Sequence, residues 1–391
     1  MRRPGIRESA KAGRFTESVI REMTRVASRH GAINLAQGFP DFPAPEALKE
    51  AAARYIREDR NQYATTWGSD RMRAAIGAWM QRRRGLEIDP DTQVTVCCGA
   101  TEGMVAAMLG TLDPGEQVLV PEPYYENYGP DGILCDAEPV YVPMGDGFSL
   151  DIDALQRACG PHTRAVVLNT PHNPTGRVFS DDEVAALCAM VRERDLLLFT
   201  DEIYEEILFG REHRSPALHE GMAERTVIVS GASKTFSVTG WRIGWVVSPP
   251  ALTSGIRKVH DFLTVGAPAP LQEAVAEALL WDDSYFDGMR AEYDARRHAM
   301  VDALRGAGFA CEPPEGAYYL MVDVSERLRA GESDVDFAMR LVEEAGVATV
   351  PGSSFYGDPA DGARFVRFCY AKRLETLEEA GRRLRAWAER T

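Results

Sequence analysis

Lys234 is the residue whose type and surroundings point most directly to chemistry. It lies in the stretch GASKTFSVTGWRIG, directly after the β-branched run TVIVS, and only five of the 44 lysines and arginines in this chain are lysines. A lysine near other cations or away from water can lose its proton and attack a carbonyl to form a Schiff base, whereas an arginine stays charged. Arg242, eight residues on, offers a planar cation of the kind that binds phosphate. A solvated lysine in a loop is the alternative.

The elements that must position these residues are short strands followed by helices. Five apolar runs, QVTVCC, VLV, AVVLN, LLLFT and TVIVS, are each followed at once by unusual residues: GATEG, PEPYYENYGP, TPHNPTG, DEIYEEI and GASKTF. This alternation predicts parallel strands joined by crossover helices. Ligands bind at the carboxyl ends of such strands, so these residues are expected to meet at one edge of the sheet.

Two of these strand ends have a direct chemical interpretation. Gly99, Ala100 and Thr101 begin a predicted helix, whose free amides bind an anion such as phosphate, unless the helix is simply capped. Asp201 ends a strand and Tyr204 follows three residues later, so that a carboxylate and a phenol can point to the same side. The alternative for Asp201 is a cap on the next helix.

Three further residues are ambiguous from the sequence alone. Tyr125 follows a strand and can lie flat on an aromatic ring, although packing in the core is the alternative and suits the neighbouring Tyr124. Asn173 opens NPTG, which by itself indicates a turn. Arg367 lies among apolar residues in a predicted strand, where a charge needs a partner, either another side chain or a ligand.

Elsewhere the chain predicts helices with clear boundaries. Residues 14–30 carry apolar side chains at helical spacing after Thr16, which is expected to cap the helix, and a second helix is expected over residues 45–57. Gly306 and Gly308 predict a break in the chain, and a smaller α+β unit is expected after them. Its strands are predicted in FACEPPEGAYYLMVDV, GVATVPGSSFYG and ARFVRFCYA.

Composition excludes several classes of protein. With 391 residues the chain exceeds one ordinary domain, and 45% hydrophobic with 26% charged residues is typical of a globular protein. The net charge of −15 argues against nucleic acid as a partner. The chain has no apolar run of membrane-spanning length and no signal-peptide pattern. The seven cysteines lack C-x-x-C spacing, so we expect reduced thiols, a cytoplasmic protein and no metal site.

GASKTFSVTGWRIG is similar to the lysine signature of the class I and II aminotransferases, which are pyridoxal-phosphate enzymes of fold type I. The resemblance extends in order from GFPDF to Arg367 and so covers essentially the whole chain. It implies an α/β fold with a large domain on a mostly parallel seven-stranded sheet flanked by helices, and a smaller α+β domain. The expected boundaries are residues 1–45 for an N-terminal part of the small domain, 46–285 for the large domain and 286–391 for the rest of the small domain.

The resemblance also implies roles for individual residues. Lys234 is expected to hold the cofactor and then to move the substrate's Cα proton, Asp201 to face the pyridine nitrogen, and Asn173 to bond the ring hydroxyl oxygen. Arg367 is expected to bind the α-carboxylate, and Tyr63 to reach the phosphate in a neighbouring subunit, which implies a homodimer with shared active sites. The remaining implied site residues are Gly38, which lets the backbone approach the substrate, and Gly99, Ala100, Thr101, Tyr125, Tyr204, Ser233 and Arg242, which contact the cofactor.

The chain departs from the family pattern at one position. Many members carry a serine that binds the phosphate three residues before the lysine, where this chain has Gly231. The missing hydrogen bond costs about 1 kcal/mol of cofactor binding unless Ser230 or Ser233 makes it instead. NLAQGFPDF, NTPHNPTG and GWRIGW resemble the kynurenine, glutamine and methionine aminotransferases. No second arginine for an acidic side chain is evident, so we predict a neutral or aromatic amino donor and a 2-oxo acid acceptor. A carbon–sulfur β-lyase and a non-catalytic binding relative are the alternatives.

Overall fold

The computed structural model describes residues 6–390. The α-helices are α1 (Val19–His30), α2 (Glu46–Arg57), α3 (Asp70–Arg84), α4 (Pro90–Gln93), α5 (Ala100–Thr111), α6 (Tyr128–Leu134), α7 (Ile152–Ala158), α8 (Asp181–Glu193), α9 (Ala232–Thr235), α10 (Pro250–Thr264), α11 (Ala269–Leu279), α12 (Asp283–Gly306), α13 (Asp334–Arg340), α14 (Pro359–Gly362) and α15 (Leu374–Ala388). The strands are β1 (Ile33–Asn34), β2 (Val94–Cys97), β3 (Gln117–Glu122), β4 (Glu138–Pro143), β5 (Thr163–Asn169), β6 (Leu197–Asp201), β7 (Thr226–Gly231), β8 (Gly244–Val247), β9 (Tyr319–Asp323), β10 (Val347–Ala348), β11 (Val350–Pro351) and β12 (Phe365–Cys369).

The large sheet has seven strands in the order β2-β8-β7-β6-β5-β3-β4 among the described residues. Strand β8 runs antiparallel to both of its neighbours, β2 and β7, and the remaining pairs are parallel. The predicted α/β fold with a mostly parallel seven-stranded sheet is therefore confirmed.

Helices cover both faces of this sheet, because successive side chains of each strand point to opposite faces. In β7, Val227 and Val229 pack in one core cluster with apolar residues of α5 and α10. Ile228 packs on the opposite face with residues of α2, α3 and α11. The near-continuous apolar character of these strands follows from burial on both faces.

A smaller unit is built from both ends of the chain. Strands β11, β12 and β9 form an antiparallel sheet, and α12 and α15 pack together in the same core cluster as β9 and β12. The short strand β1 pairs in parallel with β10, with Ile33 opposite Val347. This pairing supports the division at residues 1–45, 46–285 and 286–391, which we retain as a proposal.

The first helix begins later than predicted. Helix α1 starts at Val19, and its N-cap is Ser18, whose side chain accepts a hydrogen bond from the amide of Arg21. The predicted cap Thr16 is therefore wrong, whereas the second predicted helix matches α2, which begins just after Pro45. In residues 6–390 no helix has the combined length and apolar character that crossing a membrane requires.

Candidate active site

A cavity of about 300 Å³ lies at the carboxyl ends of the parallel strands, between the two units of the fold. Most of the residues singled out in the sequence line it. They are Gly38, Ala100, Thr101, Tyr125, Asn173, Asp201, Tyr204, Ser233, Lys234 and Arg242. The strand ends therefore converge as expected, and the extended segment of residues 37–39 closes the cavity from the side of the smaller unit.

Lys234 lies in the short helix α9, directly after β7, and its amine faces the cavity. The Nζ atom donates a hydrogen bond of 3.4 Å to the backbone oxygen of Gly38. Burial lowers the pKa of Lys234 to about 8, and the neighbouring cations Arg242 and Arg367 also lower it. A large share of the amine is therefore uncharged in mildly alkaline solution, as a nucleophile or base requires.

Asp201 is the last residue of β6, and two hydrogen bonds fix its carboxylate. The hydroxyl of Tyr128 donates to Oδ2 at 2.7 Å, and the amide of Ile203 donates to Oδ1 at 3.2 Å. Burial raises the pKa of Asp201 to about 6, which these two hydrogen bonds oppose. The carboxylate is therefore mostly ionised at pH 7, and it stands ready to hold a protonated ring nitrogen.

An anion cradle lies where α5 begins. Gly99 precedes the helix with φ +82°, a backbone conformation that favours glycine, and α5 has no side-chain cap on its first amides. A Cβ atom on Gly99 would lie 2.3 Å from an Nη atom of Arg242, so glycine leaves room for this guanidinium. Ala100, Thr101 and Ser233 line the same cavity. Free amides, a hydroxyl and a guanidinium are the groups that phosphate-binding sites use, so these residues fit a phosphate.

Gly231 is glycine for a steric reason. A Cβ atom there would lie 2.8 Å from the backbone oxygen of Ile243 and 2.9 Å from Cα of Gly244, both on the adjoining β8 side. Of the two nearby serines, Ser230 donates its hydroxyl to Glu205 at 2.8 Å in the buried interior. Of these two serines, Ser233 lines the cavity, and Ser230 does not.

Asn173 and the aromatic residues also take up distinct positions. Tyr125 lines the cavity, whereas Tyr124 stacks on Tyr141 with ring centroids 4.8 Å apart, so the core interpretation suits Tyr124. The amide of Asn173 donates to the side chain of Asn169 at 2.7 Å, and Asn169 Nδ2 donates to the backbone oxygen of Asp201 at 2.9 Å. Asn169 therefore ties two strand ends together.

Arg367, in the middle of β12, is completely buried. Its Nη1 donates to Oδ1 of Asn173 and its Nη2 to the backbone oxygen of Ala36, each at 2.8 Å. Its Nε has no partner, and none of residues 6–390 supplies a carboxylate that pairs with this guanidinium. A buried cation without a counter-ion is costly, and a ligand carboxylate would relieve that cost. The structural ion pair considered for this residue is absent from the described part of the chain.

Gly99 and Arg367 adjoin residues of the cavity wall, whereas Tyr63 does not line the cavity of its own chain. It is 86% exposed, in the segment between α2 and α3. A role in the cavity of this same chain is therefore excluded by position, and only a second subunit could bring it to a site.

Several residues of the site were missed from the sequence. Tyr128 and Asn169 hold Asp201, and Tyr319 places its ring 4.2 Å from the guanidinium of Arg367. The spacing of Tyr125 and Tyr128, three residues apart after a strand end, was a signal for a second aromatic residue on the same side. Arg21, in the first turn of α1, also lines the cavity, and it carried no such signal.

Lys372 holds the extended segment at the cavity from behind. It is buried, and its Nζ donates to the backbone oxygen of Phe39 at 2.7 Å and to that of Gln37 at 3.4 Å. Gly38 lies between these two carbonyls, and a Cβ atom on it would overlap the hydroxyl of Tyr319. Glycine is therefore required here by the close approach of an aromatic side chain.

This set of groups fits pyridoxal phosphate. An amine of lowered pKa suits the aldehyde, an ionised carboxylate suits the ring nitrogen, and the cradle of Gly99, Ser233 and Arg242 suits the phosphate. The arginine without a counter-ion leaves a place for the carboxylate of a substrate.

Comparison with known proteins gives the same result. The sequence model described as "Aminotransferase class I and II" matches residues 30–384. The structure of N-succinyldiaminopimelate aminotransferase from Mycobacterium tuberculosis aligns with a TM-score of 0.93 at 40% identity, covering 97% of this chain and 100% of that one. Methionine aminotransferase of Escherichia coli is 35% identical over 381 residues, covering 96% of this chain and 97% of its own. Kynurenine–oxoglutarate transaminase 1 of Homo sapiens is 32% identical over 399 residues, with 94% of each chain covered.

The resemblance inferred from the lysine stretch is thus confirmed over nearly the full length, together with the fold and the cofactor. The chain belongs to the class I and II aminotransferases, and it is a pyridoxal-phosphate-dependent transferase of nitrogenous groups.

Proposed function

We propose that this aminotransferase moves the amino group of an L-amino acid with a long side chain to a 2-oxo acid, with Lys234 carrying the proton. The observation that carries the proposal is the Lys234 amine, whose pKa burial lowers to about 8, on the wall of a cavity that also contains Asp201 and Asn173. Arg367 lies directly behind Asn173. The proton carrier therefore lies on the cavity wall, and the proposed carboxylate-binding group lies directly behind that wall.

Each residue has a defined task in this scheme. When bound, pyridoxal phosphate supplies an electron sink for bonds broken at the substrate's Cα. Arg367 binds the α-carboxylate through its guanidinium and so orients Cα toward Lys234. Lys234 Nζ takes the Cα proton and returns one as general base and acid. Asp201, held by Tyr128, keeps the proton on the ring nitrogen.

The remaining site residues are proposed to hold the cofactor. Asn173 donates to the ring oxygen, and Tyr125 supplies a flat aromatic wall. Tyr204, whose hydroxyl lies 3.1 Å from that of Tyr319, adds a phenol to the same wall. The phosphate is assigned to Gly99, Ala100, Thr101, Ser233 and Arg242, with Tyr63 of a second subunit completing it.

The proposed donor has an apolar side chain next to Cα. Ile20, Phe39, Tyr125 and Tyr319 line the cavity, which supports the apolar part of the predicted preference for neutral or aromatic donors. The relatives named above act on methionine, kynurenine and N-succinyldiaminopimelate, all of them long donors. We also propose a homodimer, and a cytoplasmic location supported by the seven free cysteines among the described residues.

The test is turnover of donors that have no leaving group. Holoenzyme is supplied with methionine, phenylalanine or glutamine and with a panel of 2-oxo acids, and the new oxo acid is measured beside pyruvate and ammonia. We expect sustained transamination, with elimination from cysteine conjugates as a slower side reaction. Lys234→Ala should lower the rate of transamination by about 10²- to 10⁴-fold or more, because the proton carrier is missing.

A matched control is Lys49→Ala, since Lys49 is a half-buried lysine of α2, outside the cavity, that pairs with Glu46. Borohydride treatment of wild-type and Lys49→Ala holoenzyme should fix the cofactor on the peptide containing Lys234, and Lys234→Ala should fix none. If elimination from a sulfur conjugate is orders of magnitude faster than every transamination, the β-lyase alternative replaces this proposal. A colourless protein without turnover would favour the non-catalytic alternative.

A further inference from the structure

Arg21 is a cation of the cavity wall to which the proposed reaction assigns no task. It lies in the first turn of α1, and with Ser18 and Ile20 it forms the part of the cavity that α1 and its cap contribute. Its side chain is exposed, so this wall borders the solvent. Arg367, by contrast, is completely buried at the inner side of the cavity, behind Asn173.

The guanidinium of Arg21 has no hydrogen-bond or ion-pair partner among residues 6–390. Arg25, one turn further along the same face of α1, pairs with Glu17 at 2.7 Å. Glu126, a carboxylate that lines the same cavity, already accepts a hydrogen bond from the hydroxyl of Ser18. Arg21 is therefore the unpaired one of these two arginines.

The position of Arg21 is also unfavourable for the helix itself. The N-terminal end of a helix carries partial positive charge, so acidic residues stabilise the first turn and a cation there is disfavoured. The cap of α1 is Ser18, which binds the Arg21 amide and not its side chain. Neither the stability of α1 nor an ion pair explains an arginine that projects onto the cavity.

We propose that Arg21 binds a carboxylate at the far end of the donor's side chain, an inference that rests on the proposed transamination. It revises the prediction of a neutral donor, which followed from the absence of an evident second arginine in the sequence. The substrate class is an L-amino acid with an α-carboxylate for Arg367, an aliphatic or amide-containing spacer, and a terminal carboxylate for Arg21. Planar guanidinium groups suit both carboxylates. The apolar wall of Ile20, Tyr125 and Tyr319 accommodates the spacer.

Glu126 defines the competing outcome. It lines the same cavity as Arg21, and its carboxylate would attract a terminal ammonium group and repel a terminal carboxylate. A donor such as lysine, with a terminal ammonium, would then be preferred over norleucine. Arg21 and Glu126 thus make opposite predictions for the charge at the end of the side chain.

The experiment measures binding of unreactive acids to holoenzyme by calorimetry at fixed low ionic strength. Straight-chain dicarboxylates from glutarate to azelate are compared with monocarboxylates of equal length, in wild type, Arg21→Gln and the matched control Arg25→Gln. At the best chain length, wild type should bind the dicarboxylate about fivefold or more tightly than the monocarboxylate. Arg21→Gln should bring this ratio close to one without weakening the monocarboxylate, and Arg25→Gln should leave the ratio unchanged.

Turnover gives a second measurement. Aminosuberate, a donor with a terminal carboxylate, is compared with norleucine, and the ratio of their kcat/KM values should fall in Arg21→Gln by the same factor as the binding ratio. Equal dicarboxylate and monocarboxylate affinities in wild type, a ratio that survives Arg21→Gln, or a preference for lysine would each overturn the assignment of Arg21. Failure of the proposed function shows itself separately, as wild-type holoenzyme that transaminates none of aminosuberate, norleucine and methionine.

Discussion

Arg367 is a buried cation that the described chain does not neutralise with a carboxylate. Its guanidinium is held on two sides, by the side chain of Asn173 and the backbone oxygen of Ala36, and it lies against the rings of Tyr319 and Phe355. These contacts fix the orientation of the guanidinium group before a substrate binds. Such preorganisation is what separates a binding arginine from one that merely completes a structural ion pair.

We expect Arg367→Ala to lower kcat/KM for amino acids by about 2–5 kcal/mol, or roughly 30- to 5000-fold, because a buried partner of the α-carboxylate is lost. Cofactor binding, measured by absorbance, should be retained. Arg367→Lys keeps the positive charge but lacks the planar guanidinium that binds a carboxylate through two N–H groups. Most of the decrease in kcat/KM should therefore remain.

The matched control is Arg364→Ala, at the residue directly before β12. Arg364 is exposed and its partner is Asp323, so its replacement should leave kcat/KM within about twofold of wild type. An unchanged kcat/KM in Arg367→Ala, with the melting temperature lowered, would move Arg367 to a structural role.

At this scale the sequence predicted residues whose chemistry is unusual for their position. Lys234, Asp201 and Arg367 each place a charge beside a β-branched or aromatic run, and that contrast is visible without a structure. Tyr128 was missed because a tyrosine after a strand is as compatible with packing as with holding a carboxylate. Arg21 was missed because its position depends on how α1 packs, which no local pattern contains.

The packing of β7 against β8 restricts which residue can occupy position 231, three residues before Lys234. Gly231 is opposite Gly244 in this antiparallel pair, and a Cβ on either would meet backbone atoms at less than 3 Å. The φ of 174° at Gly231 is extended and allows any residue, so the constraint is steric contact and not backbone strain.

We therefore predict that Gly231→Ser destabilises the enzyme by about 1–3 kcal/mol, since β8 must move away to admit the side chain. The measurement is thermal melting of holoenzyme at fixed protein and cofactor concentrations. Any gain in cofactor affinity from the new hydroxyl should be smaller than this loss.

Gly288→Ser is the control, because Gly288 has no atom within 4 Å of a Cβ position. It should melt close to wild type, within the few tenths of a kcal/mol that a surface helix substitution changes. A Gly231→Ser enzyme that melts at the wild-type temperature and binds cofactor more tightly would show that the pair has room for a serine.

Elements were predictable where burial was complete. Strands β2, β3, β5, β6, β7 and β8 are buried on both faces and therefore appear as apolar runs. Strand β4 was not predicted, because EPVYVP lies at the sheet edge with a largely half-exposed pattern. A strand was predicted in GVATVPGSSFYG, and this stretch contains the two short strands β10 and β11. Their partners β1 and β12 are distant in sequence, and local periodicity does not show such pairing. The cap of α1 is Ser18 and not the predicted Thr16. Ser18 also donates a hydrogen bond to Glu126, a contact between residues distant in sequence that a local pattern does not show.

Several apolar side chains are exposed together on the surface of the molecule. Phe262 is 92% exposed, and Leu263 and Val265 are 47% exposed each, at the end of α10. Thr66, three residues after Tyr63, accepts a hydrogen bond from His260 of the same helix at 2.9 Å, so the segment that carries Tyr63 contacts α10. Exposed apolar residues at the end of the helix that this segment contacts support the proposed subunit interface.

We predict that each active site contains Tyr63 of the partner subunit. Tyr63→Ala alone should lower cofactor affinity about 10- to 100-fold, through the loss of a hydrogen bond to a charged phosphate. Co-expression of Tyr63→Ala with Lys234→Ala should restore activity. In a two-fold symmetric dimer, half of randomly paired dimers combine the two chains, and one site in each has both residues intact. The recovered activity should therefore approach about a quarter of wild type.

The control pair is Arg367→Ala with Lys234→Ala. Both residues belong to the cavity of their own chain, since Arg367 bonds Asn173 and Lys234 bonds Gly38 within one subunit. Each mixed dimer then carries one site without Arg367 and one without Lys234, and no site is repaired. Rescue in the first pair and none in the second establishes that Tyr63 crosses the interface. Light scattering that shows an active monomer, or equal recovery in both pairs, would contradict the shared site.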